Sequence, residues 1–81
     1  MTPEQAFGAV LRAMREERGW SQERLALDSG YSREYISMIE RGRKNLTLVA
    51  LFRLARALAV PATELVRRTE ATQPVVVDRE K

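Results

Sequence analysis

The sequence contains neither cysteine nor histidine. The first absence excludes disulfide staples, and the two together remove the thiols and imidazoles from which most zinc sites are built. They also remove the usual partners of a nucleophile–base pair. The eleven Asp and Glu residues form no evident dyad and no metal-ligand spacing, and there is no glycine-rich phosphate loop, so catalysis is not expected and no cofactor or metal is called for. Aromatic residues are few: one Trp, two Tyr and two Phe. Trp20 and the later leucines are expected in a core or interface rather than around a ligand. No apolar run approaches the roughly 18 residues of a membrane span, and the N-terminus lacks the charged-then-apolar pattern of a signal peptide. A soluble, cytoplasmic protein without membrane contact is expected. Its 81 residues suit one small domain near the lower end of independent stability, for which oligomerisation is the natural support.

What the chain does have is an uneven distribution of charge. Residues 1–20 and 61–81 balance, and residues 21–40 carry two more acids than bases. Residues 41–60 hold Arg41, Arg43, Lys44, Arg53 and Arg56 with no acid. A basic block at one place in the chain fits phosphate contacts, although a solvated charged face would read the same way.

Five helices are expected. Thr2 caps the first, Pro3 suits its first turn, and Phe7, Val10, Leu11 and Met14 form one apolar stripe before Arg18 and Gly19 end it. Ser21 caps a second helix with Leu25, Ala26 and Leu27 inside, and Gly30 closes it. Tyr31 and Ser32 connect to a third helix, from about Arg33 to Arg41, with Ile36 and Ile39 inward and Gly42 as its stop. Thr47 caps a fourth over Leu48 to Leu58, where only Arg53 and Arg56 are not apolar, so it should bury more than one face. Val60 and Pro61 break the chain before a short fifth helix from Ala62 to about Thr69, anchored by Leu65 and Val66. The fold class is therefore all-α, with a domain over 1–69 and an extended or disordered tail over 70–81 in which Val75 to Val77 forms either a strand-like arm or no structure.

From Gln22 to Ile39 the spacing matches a helix-turn-helix. The small residue needed where the helices cross is Ala26, the turn glycine is Gly30, and the apolar anchors are Leu25, Tyr31, Ile36 and Ile39. Such a unit sets its second helix into a DNA major groove. Arg33, Ser37 and Arg41 then share a face with Glu34 and Met38 beside it. Arg33 can pair bidentately with guanine, Glu34 can accept from cytosine N4, and Met38 can offer apolar contact to a thymine methyl. Ser21 and Gln22 stand at a helix N-terminus whose backbone N–H groups suit a phosphate. Tyr35, Arg41, Arg43, Lys44 and Asn45 complete the phosphate group, with a core-edge role as the alternative for Tyr35.

Residues 5–69 resemble the phage-repressor-type (XRE-like) helix-turn-helix domains. The run from Tyr35 through Ile39, Arg41, Arg43, Lys44 and Asn45 to Thr47 is similar to controller proteins of restriction–modification systems. The resemblance implies base reading by Ser32, Arg33, Glu34 and Ser37, and phosphate contact by Arg43 and Lys44 in the loop after the third helix. It also implies an ion pair between Arg15 and Glu40 that braces that helix. Two positions depart from the pattern: Ala59 stands where a glycine often ends helix four, and Pro61 where a serine often begins helix five.

The function expected is a sequence-specific, dimeric DNA-binding transcriptional regulator, a controller of its own promoter or else an antitoxin or phage-type repressor. Its partners are a pseudo-palindromic duplex and a second copy held through helices four and five. A protein-interaction module that uses the same fold without DNA is the alternative of a different kind.

Overall fold

The computed structural model describes residues 1–72. Five helices follow in order: α1 (Pro3–Glu17), α2 (Gln22–Ser29), α3 (Arg33–Glu40), α4 (Leu48–Leu58) and α5 (Ala62–Thr72). Four of them begin on a hydroxyl that accepts from the first turn. Thr2 takes Gln5 N–H at 3.1 Å, Ser21 takes Arg24 N–H at 3.0 Å, Ser32 takes Tyr35 N–H at 3.1 Å, and Thr47 takes Ala50 N–H at 3.0 Å. Each cap satisfies a donor the helix itself leaves open, worth about 1 kcal/mol. Gln5 answers Thr2 with its own side chain, completing a capping box.

The helices close on a single core in which Leu11, Leu25, Ile36, Leu54, Leu58 and Leu65 are almost completely buried. A side chain of that size contributes about 1.5–3 kcal/mol when removed from water. α1 packs on α3 and α5, while α2 packs on α3 and α4. The α1–α3 crossing depends on Gly8, which carries no local signal in the sequence. A Cβ there would stand 2.6 Å from the Glu40 carbonyl oxygen and closer still to that of Ile39. The two backbones therefore meet without a side chain between them.

Three expectations need correction. Leu27 is 79% exposed, because an eight-residue helix presents one face and Leu25, Ala26 and Ser29 occupy it. Val66 is also on the surface, leaving Leu65 as the anchor of α5. α5 itself runs to Thr72, three residues past the expected end, so 70–72 are helical rather than part of a tail. The Val75–Val77 segment lies outside the described residues. α4 buries Leu51, Leu54, Ala55 and Leu58 and leaves Leu48, Val49 and Phe52 exposed. It ends on Ala59 at φ 59°, in the left-handed region that glycine occupies at no steric cost. No described helix is long and apolar enough to cross a membrane.

Candidate nucleic-acid interface

α2 stops because Gly30 turns the chain at φ 81° and ψ 21°, and the N–H groups of Gly30 and Tyr31 both close on the Ala26 carbonyl. Two residues later Ser32 opens α3, so the helix axes change direction within one tight turn. α3 then buries Ile36 and Ile39 and turns its other side outward. Arg33 and Glu34 are exposed, Ser37 and Met38 are half-buried, and Arg41 is exposed as the C-cap. The base-reading candidates thus fall on and beside one outward face of an anchored helix, as expected. Ser32 is committed to its cap and has only its hydroxyl proton to offer.

The brace beneath this helix is the expected one. Arg15 Nε donates to Glu40 Oε2 at 2.7 Å and Nη2 to Oε1 at 3.0 Å, while Nη1 donates to the Trp20 carbonyl at 2.7 Å. Hydrogen bonding to Glu40 raises the arginine's pKa, against the opposing effect of burial. The network continues outward. Gln22 Nε2 donates to Glu40 Oε1 at 3.0 Å, and Gln22 Oε1 accepts from Arg33 Nη1 at 3.3 Å. The side chain of Gln22, expected at a phosphate, instead links the buried pair to Arg33. Ser21 likewise spends its oxygen on a cap and leaves its hydroxyl proton for an anion.

Arg41, Arg43, Lys44 and Asn45 are all exposed around the loop that follows α3. The loop leaves the helix through Gly42 N–H to Ile39 O and Arg43 N–H to Met38 O, a helix-ending pattern that sends the chain away at a sharp angle. Tyr35 borders the loop with its ring 4.4 Å from that of Tyr31, and Lys44 Nζ lies 6.0 Å from the Tyr35 ring centre. Burial, then Tyr31, raises the Tyr35 pKa despite the opposing effect of Arg53, so the phenol is a neutral hydroxyl donor at physiological pH. Two of the four acids of 21–40 are paired, Glu40 with Arg15 at 2.7 Å and Asp28 with Arg24 at 2.9 Å. The loop beyond α3, with Arg41, Arg43 and Lys44, carries no acid.

Two arginines make long-range contacts that their sequence positions do not indicate. Arg53, in the basic block and on the otherwise apolar fourth helix, donates to the carbonyls of Ser29 and Gly30, both at 3.1 Å. Arg18 joins α1 to α4 by donating to Met14 O at 3.0 Å and Leu58 O at 2.9 Å. The available signal was that Arg53, with Arg56, interrupts an otherwise apolar helix.

A family model described as helix-turn-helix matches residues 11–65. The chain is 43% identical over 65 residues to an uncharacterized HTH-type transcriptional regulator of Sinorhizobium fredii, y4dJ, covering 80% of this chain and 84% of that one. Other curated relatives are longer, and the chain spans 62% of one and 40% of another. Among solved structures it resembles the restriction–modification controller protein C.AhdI of Aeromonas hydrophila. The TM-score is 0.75 at 44% identity, over 76% of this chain and 94% of that one. It also resembles the controller C.Esp1396I, solved as a tetramer with its natural 35 base-pair operator. There the TM-score is 0.81 at 30% identity, over 89% of this chain and 95% of that one.

Proposed function

Since the chain belongs to the helix-turn-helix family, we propose that it is a sequence-specific, dimeric DNA-binding transcriptional regulator that controls its own promoter in the manner of a restriction–modification controller. One observation carries this reading. α3 is pinned by Ile36, Ile39 and the Arg15–Glu40 pair, and it holds Arg33, Glu34 and Ser37 toward solvent beside the Arg41–Asn45 basic loop. A rigid helix with a guanine-reading arginine and a cytosine-reading carboxylate, flanked by cations, separates base readout from phosphate contact.

One short helix touches too few base pairs for useful discrimination, so a twofold dimer reads two half-sites about one turn, ~34 Å, apart. The exposed Leu48, Val49 and Phe52 of α4, with Val66 of α5, supply the apolar face for that dimer. C.Esp1396I is seen as a tetramer on its operator. Two dimers on a longer site here would allow activation at low occupancy and repression at high occupancy. Occupancy is set by protein concentration and salt, without a cofactor, and the DNA target places the protein in the cytoplasm. The sequence likeness to y4dJ and the fold shared with C.AhdI and C.Esp1396I, together with their names, support regulation rather than catalysis.

The test is selection of bound duplexes from a random pool, followed by a salt series on the winner. A pseudo-palindrome with half-sites one turn apart is the expected result. Absence of enrichment, with weak binding only at low salt, rejects sequence reading and favours a protein-interaction role.

A further inference from the structure

Arg53 sits on α4, outside the helix-turn-helix, yet it is the residue that closes the turn. Its Nε and Nη2 reach the last carbonyl of α2, on Ser29, and the carbonyl of Gly30. Those oxygens lie at the negative end of the α2 dipole, where a cation is favoured. A Cβ at position 30 would collide with Arg53 Nη2, so the glycine makes room for the guanidinium as well as for the backbone.

The same guanidinium lies 4.3 Å from the Tyr31 ring centre. Tyr31 stacks on Tyr35 at 4.4 Å with 26° between the rings, and Lys44 Nζ stands 6.0 Å beyond. Cation, ring, ring and cation thus form one chain of contacts from α4 to the loop after α3. A guanidinium over an aromatic face is attracted by the ring's quadrupole, and its planar fork can bond two carbonyls while it stacks. A lysine at position 53 has no such fork.

We propose that Arg53 is a positioning residue for binding the DNA backbone: it clamps the turn and, through Tyr31, holds Tyr35 and Lys44 where they meet phosphate. This rests on the DNA-binding reading above. Its consequence is that the helix carrying the exposed Phe52 also sets the phosphate contacts, so dimer and DNA surfaces are ordered by neighbouring residues of α4.

The experiment compares wild type, Arg53→Ala, Arg53→Lys, Tyr31→Phe and Tyr31→Leu on the selected duplex and on a random duplex across a salt series. Dimer dissociation is followed in parallel by sedimentation. Arg53→Ala is expected to weaken both duplexes alike, about tenfold, and to lower the salt slope by about one, the signature of a lost phosphate contact. Its dimer constant stays at the wild-type value. Tyr31→Phe, which keeps the ring, binds as wild type. Tyr31→Leu, which keeps apolar bulk without a stacking face, behaves like Arg53→Ala and loses the near-ultraviolet dichroism of the tyrosine pair. Arg53→Lys recovers less than half of the lost affinity. Should Arg53→Ala not fold, the two Tyr31 variants decide the matter alone. Wild-type affinity in Arg53→Ala, a loss confined to the selected duplex, or a loss matched by weaker dimerisation overturns the proposal. No duplex binding by the wild type overturns the DNA reading itself, and this inference with it.

Discussion

Arg15 and Glu40 stand 25 residues apart in sequence and meet as a bidentate pair with side-chain exposures of only 9% and 3%. The pair joins the inner edge of α1 to the last residue of α3, so α3 is fixed at its C-terminal end by charge and along its length by Ile36 and Ile39. Glu40 accepts a further bond from Gln22, which leaves no buried side-chain polar atom unpartnered among the described residues. Removing one partner strands the other charge in a shielded place. Glu40→Ala is expected to cost about 3–5 kcal/mol in urea denaturation. A loss below about 0.5 kcal/mol would show that the pair is not a brace. Glu40 raises the Arg15 pKa, although an arginine is charged throughout the physiological range in any case. Its share of stability is lost only as pH rises through a value above that of ordinary arginine.

Arg33 and Lys44 are the residues proposed for base and phosphate contact, and their variants separate the two modes. Arg33→Ala should cost about 1–3 kcal/mol on the preferred site and relax one base position. Lys44→Ala should weaken preferred and random DNA alike and reduce the salt slope by about one. Competition binding on the two duplexes distinguishes them, and equal losses for Arg33→Ala would remove its base-reading role.

Phe52 is 56% exposed on the outer face of α4. A charge introduced there should prevent pairing of the apolar faces. Phe52→Glu is expected to sediment as a monomer and to bind the full site about 10²-fold more weakly, because the two half-site contacts are no longer linked. A dimer of wild-type affinity would move the interface elsewhere.

Ala59 ends α4 with φ 59° and ψ 41°, and being exposed it gains no packing for that strain. Ala59→Gly should stabilise the fold by about 0.5–1 kcal/mol. The thermal midpoint should rise by a few degrees, at about 4–8 °C per kcal/mol for a domain of this size. A lower midpoint would mean that backbone entropy in the unfolded chain outweighs the relief.

Glu64 on α5 accepts from Arg67 at 2.6 Å and from Arg68 at 2.7 Å. These hydrogen bonds, Arg67 first, hold its carboxyl at about 2, below the ordinary carboxylate range. A lowered pKa stabilises the fold above the unfolded value and ceases to do so as pH falls through the folded one. Helix dichroism should therefore decline between about pH 4.5 and 2, and Glu64→Gln should flatten that part of the profile. An unchanged profile in the variant would assign the acid transition to other carboxyls.

The five helices were legible because their signals are local. A hydroxyl three residues before a free N–H, a glycine past a last turn and an apolar stripe at helical spacing act within a few residues, and Thr2, Ser21, Ser32 and Thr47 all do what their positions imply. The outward face of α3 was legible for the same reason, since Ile36 and Ile39 leave Arg33, Glu34 and Ser37 on the other side. The Arg15–Glu40 pair was accessible only through family resemblance, as no spacing rule links positions 25 apart. Leu27 and Val66 were misplaced because each neighbours a buried residue in sequence, and composition does not say which one faces in.

The sequence by itself determined where the helices start and where the first four stop, which short segment turns a polar face outward, and what chemistry that face offers. Tertiary structure decided the rest: that Gly8 lets α1 touch α3, that Gln22 turns inward to Glu40, and that Arg53 closes a turn 23 and 24 residues away. Those facts depend on which surfaces meet when the core excludes water. Burial is nondirectional, so it brings distant side chains together without leaving a local pattern of its own.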